Sequence, residues 1–342
     1  MKMNRVHGLP FNSIMNVTTS WNEGGVFIQK KAHTNSRLFR RQFPFHAFVG
    51  IGIIYLIVFS YIPMFGIIIA FKDYNISTGI EGIFTSSWAG LSHFKELIND
   101  YHFPSLVRNT LLLSLLKVIF SYPIPILFAI MLSEVRHVVF KRFVQTVSYL
   151  PHFVSWVVVT GIAYAFFSSG YGIFNELLLS LHVIKDPIQV LTDPDSFYAL
   201  AVSTAIWKEA GWWTIIFLAA LAGIDPALYE AAEMDGAGRL KRIIHITLPG
   251  LKGAAIVVLI LTIGSILGGG LVGSNFEQSM LLGNALNVER SQIIQTYAFN
   301  VGLAQGRFSF ATAIDFAQSV ISLILIFSSN YIAKRVSGTG LF

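Results

Sequence analysis

The chain has 342 residues, of which 54% are hydrophobic and only 12% charged, about half the charged fraction of a soluble domain. With a mean hydropathy of +0.63 this is a membrane composition, so the +6 balance is to be read by position and is not a nucleic-acid signal. There is no cysteine, which excludes disulfides, thiolate metal sites and cysteine nucleophiles.

Residues 1–44 are mixed and polar, lack sustained periodicity and carry no apolar core of signal-peptide length, so they read as a cytosolic tail. Six segments then reach the roughly 20 residues needed to cross a bilayer core: 45–71, 106–132, 144–167, 198–222, 250–271 and 308–333. Pro63 sits inside the first, and Pro123 and Pro125 inside the second, as kinks that neighbouring helices can tolerate. Between these two, Trp88 to Ile98 is a short apolar-polar stretch suited to a helix lying against the membrane on the outside. Asp186-Pro187 and Asp193-Pro194 mark turns or helix starts ahead of the fourth span. Gly264, Gly268, Gly269 and Gly270 cluster late in the fifth, where they permit close helix contact or a bend.

Basic residues set the orientation. Sixteen of the 24 Lys and Arg fall on one side: seven before the first span, then Arg136, Lys141, Arg142, Arg239, Lys241, Arg242, Lys252, Lys334 and Arg335. The positive-inside bias therefore predicts both termini in the cytosol, and the loop 223–249 with them.

That loop reads GIDPALYEAAEMDGAGRLKRIIHITLP. Asp225 can cap a helix that opens on Pro226, because its carboxylate accepts an orphan N–H and proline has none to waste. Ala227 to Met234 forms helix well, and small Ala231 and Ala232 let another surface come close. Gly236 is the expected stop, since glycine takes the left-handed cap cheaply. A second short helix, Arg239 to Thr247, is expected to end before Pro249, which opens the next span. Without further context, an amphipathic helix lying on lipid would fit as well.

The order of these residues resembles the EAA loop of the membrane-spanning subunit of binding-protein-dependent ABC importers. Glu230-Ala231-Ala232 supply the name, Asp235-Gly236-Ala237 place a glycine six residues after the glutamate, and the apolar run closes in Leu248-Pro249. The likeness extends over residues 45–342, through Ile206-Trp207-Lys208-Glu209, Phe217 to Ala222, Asn275-Phe276-Glu277-Gln278, Ile294 to Tyr297 and Phe308 to Ala313. It is greatest for permeases of polysaccharide-derived oligosaccharides, the alginate type among them. Asp315-Phe316, Gln292 and Gln295 depart from the usual residues and bear on substrate identity rather than fold.

The resemblance implies an all-α membrane protein, a MetI-like permease of six spans in the bacterial plasma (inner) membrane, importing an oligosaccharide. Its partners would be a second, homologous permease subunit, two ATPase subunits that hold the ATP and Mg, and an extracytosolic solute-binding protein. Tyr229, Glu230, Ala231, Ala232, Met234, Asp235, Gly236, Ala237, Leu248 and Pro249 would form the surface coupled to the ATPase. Phe276, Glu277 and Gln278 would face the binding protein.

Other side chains stand out for chemical reasons. Lys208 and Glu209 lie within an apolar span, where a mid-depth charge costs at least ~2.5 kcal/mol. They either line a sugar pathway with Trp212 and Trp213, whose faces suit sugar rings, or form an interhelical ion pair. His152 has no nucleophile or metal-spaced partner in sequence and reads as a packed histidine. No G-x-x-x-x-G-K-[ST] phosphate loop and no H-E-x-x-H occurs, so the chain itself is expected to bind no ATP, cofactor or metal and to be no enzyme. An ion-coupled secondary transporter is the alternative, but it calls for more membrane carboxylates than Glu209 and Asp315.

Overall fold

The computed structural model describes residues 36–264, 267, 274–338 and 340, so residues 1–35 of the expected tail and the glycines at 268–270 lie outside the described residues. The chain divides into two units, Met1–Met64 and Phe65–Phe342. In the first, helix α1 (Ser36–Leu56) begins well before residue 45, so the expected tail ends sooner than its composition suggests. The helix-forming run around Arg37, Arg40 and Arg41 carries the helix back toward the terminus. Phe45, Phe48, Ile51, Ile54 and their apolar neighbours are exposed, as lipid-facing side chains should be.

The second unit is helical throughout its described residues apart from turns and one isolated bridge, Lys72 to Trp88. Its main elements are α2 (Ser92–Asn99), α3 (Phe103–Leu116), α4 (Pro123–Ser133), α5 (Val138–Tyr149), α6 (Trp156–Phe167), α7 (Phe197–Ala222), α8 (Pro226–Met234) and α9 (Arg239–Arg242). They are followed by α10 (Leu248–Gly264), α11 (Asn275–Leu282), α12 (Ile294–Phe299) and α13 (Phe308–Ser337). Helix α2 realises the amphipathic stretch expected near Trp88–Ile98. Asp193 accepts backbone N–H bonds from Asp195 (3.2 Å) and Ser196 (3.1 Å) and starts α7 at the expected Asp-Pro signal.

Among the described residues five helical segments are long and apolar enough to cross a membrane: Gln42–Phe71, Phe103–Ser133, Pro194–Ala222, Arg239–Ile263 and Phe308–Arg335. The expected span 144–167 is different. Val138–Phe153 and Trp156–Phe167 meet at 104°, so they make a sixth crossing only as a broken pair. Pro151 and the Ser155 cap, whose hydroxyl accepts the Val158 N–H at 3.4 Å, end one helix and begin another inside an apolar run. The amphipathic α5 accounts for the first arm, which is not part of a straight span.

Three spans share a further device. Wide, π-type turns occupy Ile57–Tyr61, Lys117–Ser121 and Ile243–Thr247, each ending two residues before a proline: Pro63, Pro123 and Pro249. A proline removes one ladder bond and pushes on the carbonyl four residues back, and a wide turn there relieves both. The second helix of the loop therefore does not stop before Pro249 as expected. It runs through the proline into α10.

Helix α7 is the axis of this unit, packed along α4 and against α5 and α10. Ala129, Ile130, Phe217, Leu251 and Val258 make one buried cluster, and Leu113, Ala163, Phe197, Leu200 and Ile293 belong to another. At Gly211 the helix touches the backbone of Ser148: a Cβ there would lie 1.9 Å from the Ser148 carbonyl oxygen. Helix α13 packs on α10, on α12 and on Phe65–Phe71.

Candidate functional site

The loop after α7 is built by short-range bonds. The Asp225 carboxylate accepts the Ala227 N–H at 2.9 Å and caps α8. At its other end Ala237 N–H donates to Ala232 C=O (2.8 Å) and Gly236 N–H to Glu233 C=O (3.0 Å), the paired bonds of a Schellman stop. Gly236 takes φ +75° there, and the space where its Cβ would stand is open, so the need for glycine is conformational and not steric. Tyr229 and Thr247 hydroxyls share a hydrogen bond at 3.0 Å, and Arg242 pairs with Glu233 at 3.0 Å, fastening α8 to the start of the next span. Arg239 reaches Glu134, 2.6 Å away in the loop between α4 and α5.

What the loop leaves uncovered matters more. Leu228, Met234 and Leu240 are exposed, Met234 to 88%, and Glu230, Ala231, Asp235 and Pro249 are exposed beside them. Exposed apolar side chains grouped with small residues suit a protein partner, with the carboxylates at its polar rim. Leu248 is exposed at the start of α10.

The second group lies in α7. Lys208 and Glu209 are buried and lie 3.1 Å apart, and Glu209 also meets His152 Nδ1 at 2.7 Å. Lys208 Nζ donates to the His152 carbonyl (2.7 Å) and stands 5.5 Å above the Trp156 ring. Trp212 stacks on the His152 ring at 4.4 Å and 3°. Of the four pathway candidates, the structure brings Lys208, Glu209 and Trp212 together around the bend between α5 and α6. Trp213 makes none of these contacts, and its buried Nε1 has no acceptor among the described residues. His152 proves to be bonded to both charges, through its ring to Glu209 and its carbonyl to Lys208, and is not a lone packed histidine. Sequence spacing could not show this, because its partner is 57 positions away. Lys117, wholly buried at the start of the wide turn after α3, feels the Glu209 charge as well.

The segment Phe276–Gln278 divides. Glu277 is exposed at the first turn of α11, but Gln278 is fully buried and donates to Ala201 C=O (2.8 Å) and Thr204 Oγ1 (3.0 Å). It fastens α11 to α7 and has no surface to offer a binding protein. Phe276 packs edge-on against Phe299, 5.4 Å away. Nearby, the side-chain amide of buried Asn109 donates to the carbonyls of Glu289 (2.8 Å) and Gln292 (2.9 Å) and accepts from Tyr198 OH (2.8 Å). These clamps were not foreseen, since an isolated Asn in an apolar run carries no pattern.

Asp100 joins a further clamp between α2 and α3. Burial alone would raise its carboxyl, but hydrogen bonds from Tyr297 OH (2.5 Å), His102 N–H (2.8 Å) and the His102 ring hold it below the ordinary carboxylate value. The same burial and the Asp100 charge push the Tyr297 phenol up. Among the described residues no group of three His, Asp or Glu could hold a metal ion.

Residues 121–338 match the family described as the binding-protein-dependent transport system inner membrane component, a stretch that holds both α7 and the 223–249 loop. The chain belongs to that family. LplB of Bacillus subtilis (strain 168) is 46% identical over 291 residues, covering 85% of this chain and 88% of the relative. The polygalacturonan/rhamnogalacturonan transport system permease protein YteP of the same organism is 44% identical with the same coverage. A bacterial ABC transporter involved in the import of the acidic polysaccharide alginate contains a chain that superposes with a TM-score of 0.79 at 35% identity. It covers 88% of this chain and 99% of that one. The fold is thus that of the ABC importer permeases, all helical and membrane-spanning, and the secondary-transporter alternative is not favoured.

Proposed function

We propose that this chain is the permease subunit of an ATP-driven importer that carries an oligosaccharide from a solute-binding protein into the cytosol. The observation that carries the coupling role is the exposed helix and turn at Pro226–Ala237, capped at both ends and presenting Leu228, Ala231 and Met234 beside exposed carboxylates. A second, homologous permease completes the pathway, and the two sit on a pair of ATPase subunits, which hold the ATP and Mg; one of these docks on Glu230, Ala231, Met234 and Gly236. When the ATPases close, α8 moves as a lever. Its tie through Tyr229–Thr247, and that of α9 through Arg239–Glu134, pass the motion to α10 and α4, and the spans rock between outward and inward access. Relatives named for oligosaccharide and polysaccharide transport support the cargo class. A similar structure, that of a bacterial alginate ABC transporter in complex with an alginate pentasaccharide-bound periplasmic protein, supports delivery by a binding protein, with Glu277 the remaining candidate contact of the three.

The test is reconstitution of the whole importer in liposomes. Sugar uptake and ATP hydrolysis should both rise when binding protein and sugar are added together. Hydrolysis that ignores both, or a chain that purifies without any ATPase, would sink the reading. For orientation, single cysteines in this cysteine-free chain serve as reporters. Ser274→Cys should react with an impermeant reagent from outside, and Ser133→Cys or Ala237→Cys only after the membrane is opened; the reverse pattern would invert the assignment.

A further inference from the structure

The sequence departures at Asp315 and Gln295 come together at a single place. A cavity of about 790 Å³, within the range of small-ligand sites, lies between α11, α12 and α13. On α13 it is lined by Asp315, Gln318, Ser319 and Ser322, spaced i, i+3, i+4, i+7 and therefore on one face. The most apolar 18-residue stretch of the span that carries them has a mean hydropathy of 1.9, and a polar stripe in such a helix is costly unless it faces polar contents. Opposite stand Gln295 of α12 and the edge-to-face pair Phe276 and Phe299. Gln318 is only 7% exposed, and the buried Oε1 atoms of both Gln318 and Gln295 accept no hydrogen bond from the described residues. Buried acceptors without donors are a standing cost that a bound hydroxyl would remove.

We propose that this cavity is a saccharide subsite that takes an uncharged, hydroxyl-rich ring and discriminates against a uronate. The inference rests on the oligosaccharide reading given above. Ring hydroxyls donate to Gln295, Gln318 and Asp315, while the apolar face of the ring lies against the two phenylalanines. Among the described residues of the lining Asp315 is the one that carries a charge, and none is Lys, Arg or His. A carboxylate on the sugar would meet a like charge with no cation beside it. The wall provided by this chain thus differs in chemistry from what an acidic polysaccharide would call for. The buried lysines do not alter this: Lys208 is committed to Glu209 and the His152 carbonyl, and Lys117 is wholly buried and lies outside the lining.

The test uses the assembled importer and Ser322→Cys in this cysteine-free chain. Modification by a small neutral thiol reagent is followed with matched neutral and uronate disaccharides as protectants: galactobiose against digalacturonate, mannobiose against dimannuronate. At mildly alkaline pH a neutral member should slow modification and its uronate partner should not. Gln318→Leu should raise the neutral sugar concentration for half-protection about tenfold, the effect of one lost hydrogen bond. Asp315→Asn should let the uronate protect. The proposal is overturned if no neutral sugar protects, if the uronate protects equally with Asp315 intact, or if Ser322→Cys is unreactive because a neighbouring subunit fills the space. Sugar uptake measured in the same preparation separates the two readings. Uptake without protection removes the subsite alone, and absence of any uptake removes the transport reading beneath it.

Discussion

The 223–249 loop and the charge cluster on α7 hold their charges in opposite ways. In the loop, most contacts join residues within ten positions, and its carboxylates and apolar side chains face outward. In the cluster, Lys208 and Glu209 are buried and bound across 56 and 57 positions to His152. A surface held by local bonds can be handed to a partner without unfolding anything. A buried charge bound across the fold cannot be, so it stabilises one arrangement of the helices.

That difference makes the cluster the more damaging place to cut. Glu209→Gln leaves Lys208 and His152 without their shared anion, a loss on the order of 3–5 kcal/mol for a broken buried pair. The yield of assembled complex and its melting temperature should fall with transport, and adding Lys208→Gln should restore part of both. Full stability with transport alone lost would instead make Glu209 a pathway residue. Next comes Gly211→Ala, whose Cβ would collide with the Ser148 carbonyl and prise α7 from α5. Overpacking of this kind costs roughly 1–3 kcal/mol, read as a lower melting temperature.

In the loop the expected effects reverse in kind. Gly236→Val strains a left-handed residue by about 1–2 kcal/mol but meets open space. The spans should stay inserted and the complex stable, while ATPase binding and uptake drop. Wild-type uptake with a fully bound ATPase would take the loop out of its assigned role. The smallest effect is expected at Asp100. Because its folded carboxyl is held low, its contribution is fully present above the ordinary carboxylate value and is lost as pH falls through the lowered one. Tyr297→Phe removes one of the donors and lets the folded carboxyl rise, so melting followed against pH should show a smaller acid-side decline that is complete at a slightly higher pH.

The sequence made the loop legible for the same reason that the loop is transferable. Asp225, Pro226 and Gly236 act on neighbours in the chain, so cap, start and stop could be read in order. The six-span outline was legible too, from apolar length alone. The rest depended on contacts that sequence order hides. Nothing in an apolar run tells that Ser155 will start a new helix at 104° to the last one. Gln278 looked like a loop residue because the carbonyl it bonds, that of Ala201, is 77 positions away. Asp315 and Gln295 were noticed as unusual residues, but only the packing of α12 on α13 puts them on the same cavity.

The wide turns before Pro63, Pro123 and Pro249 bear on how such spans can change in length. A π-type turn is an α-helical turn carrying one extra residue, and everything beyond it is rotated by about 100° relative to a straight helix. Each turn is therefore a place where a single codon can be gained or lost while the disturbance stays within a few residues. The proline downstream preserves the insertion, since deleting the extra residue would return its ring to a clash with the preceding carbonyl. Within spans that otherwise tolerate no change of register, variation in length should collect at residues 57–61, 117–121 and 243–247, in step with gain or loss of the proline that follows.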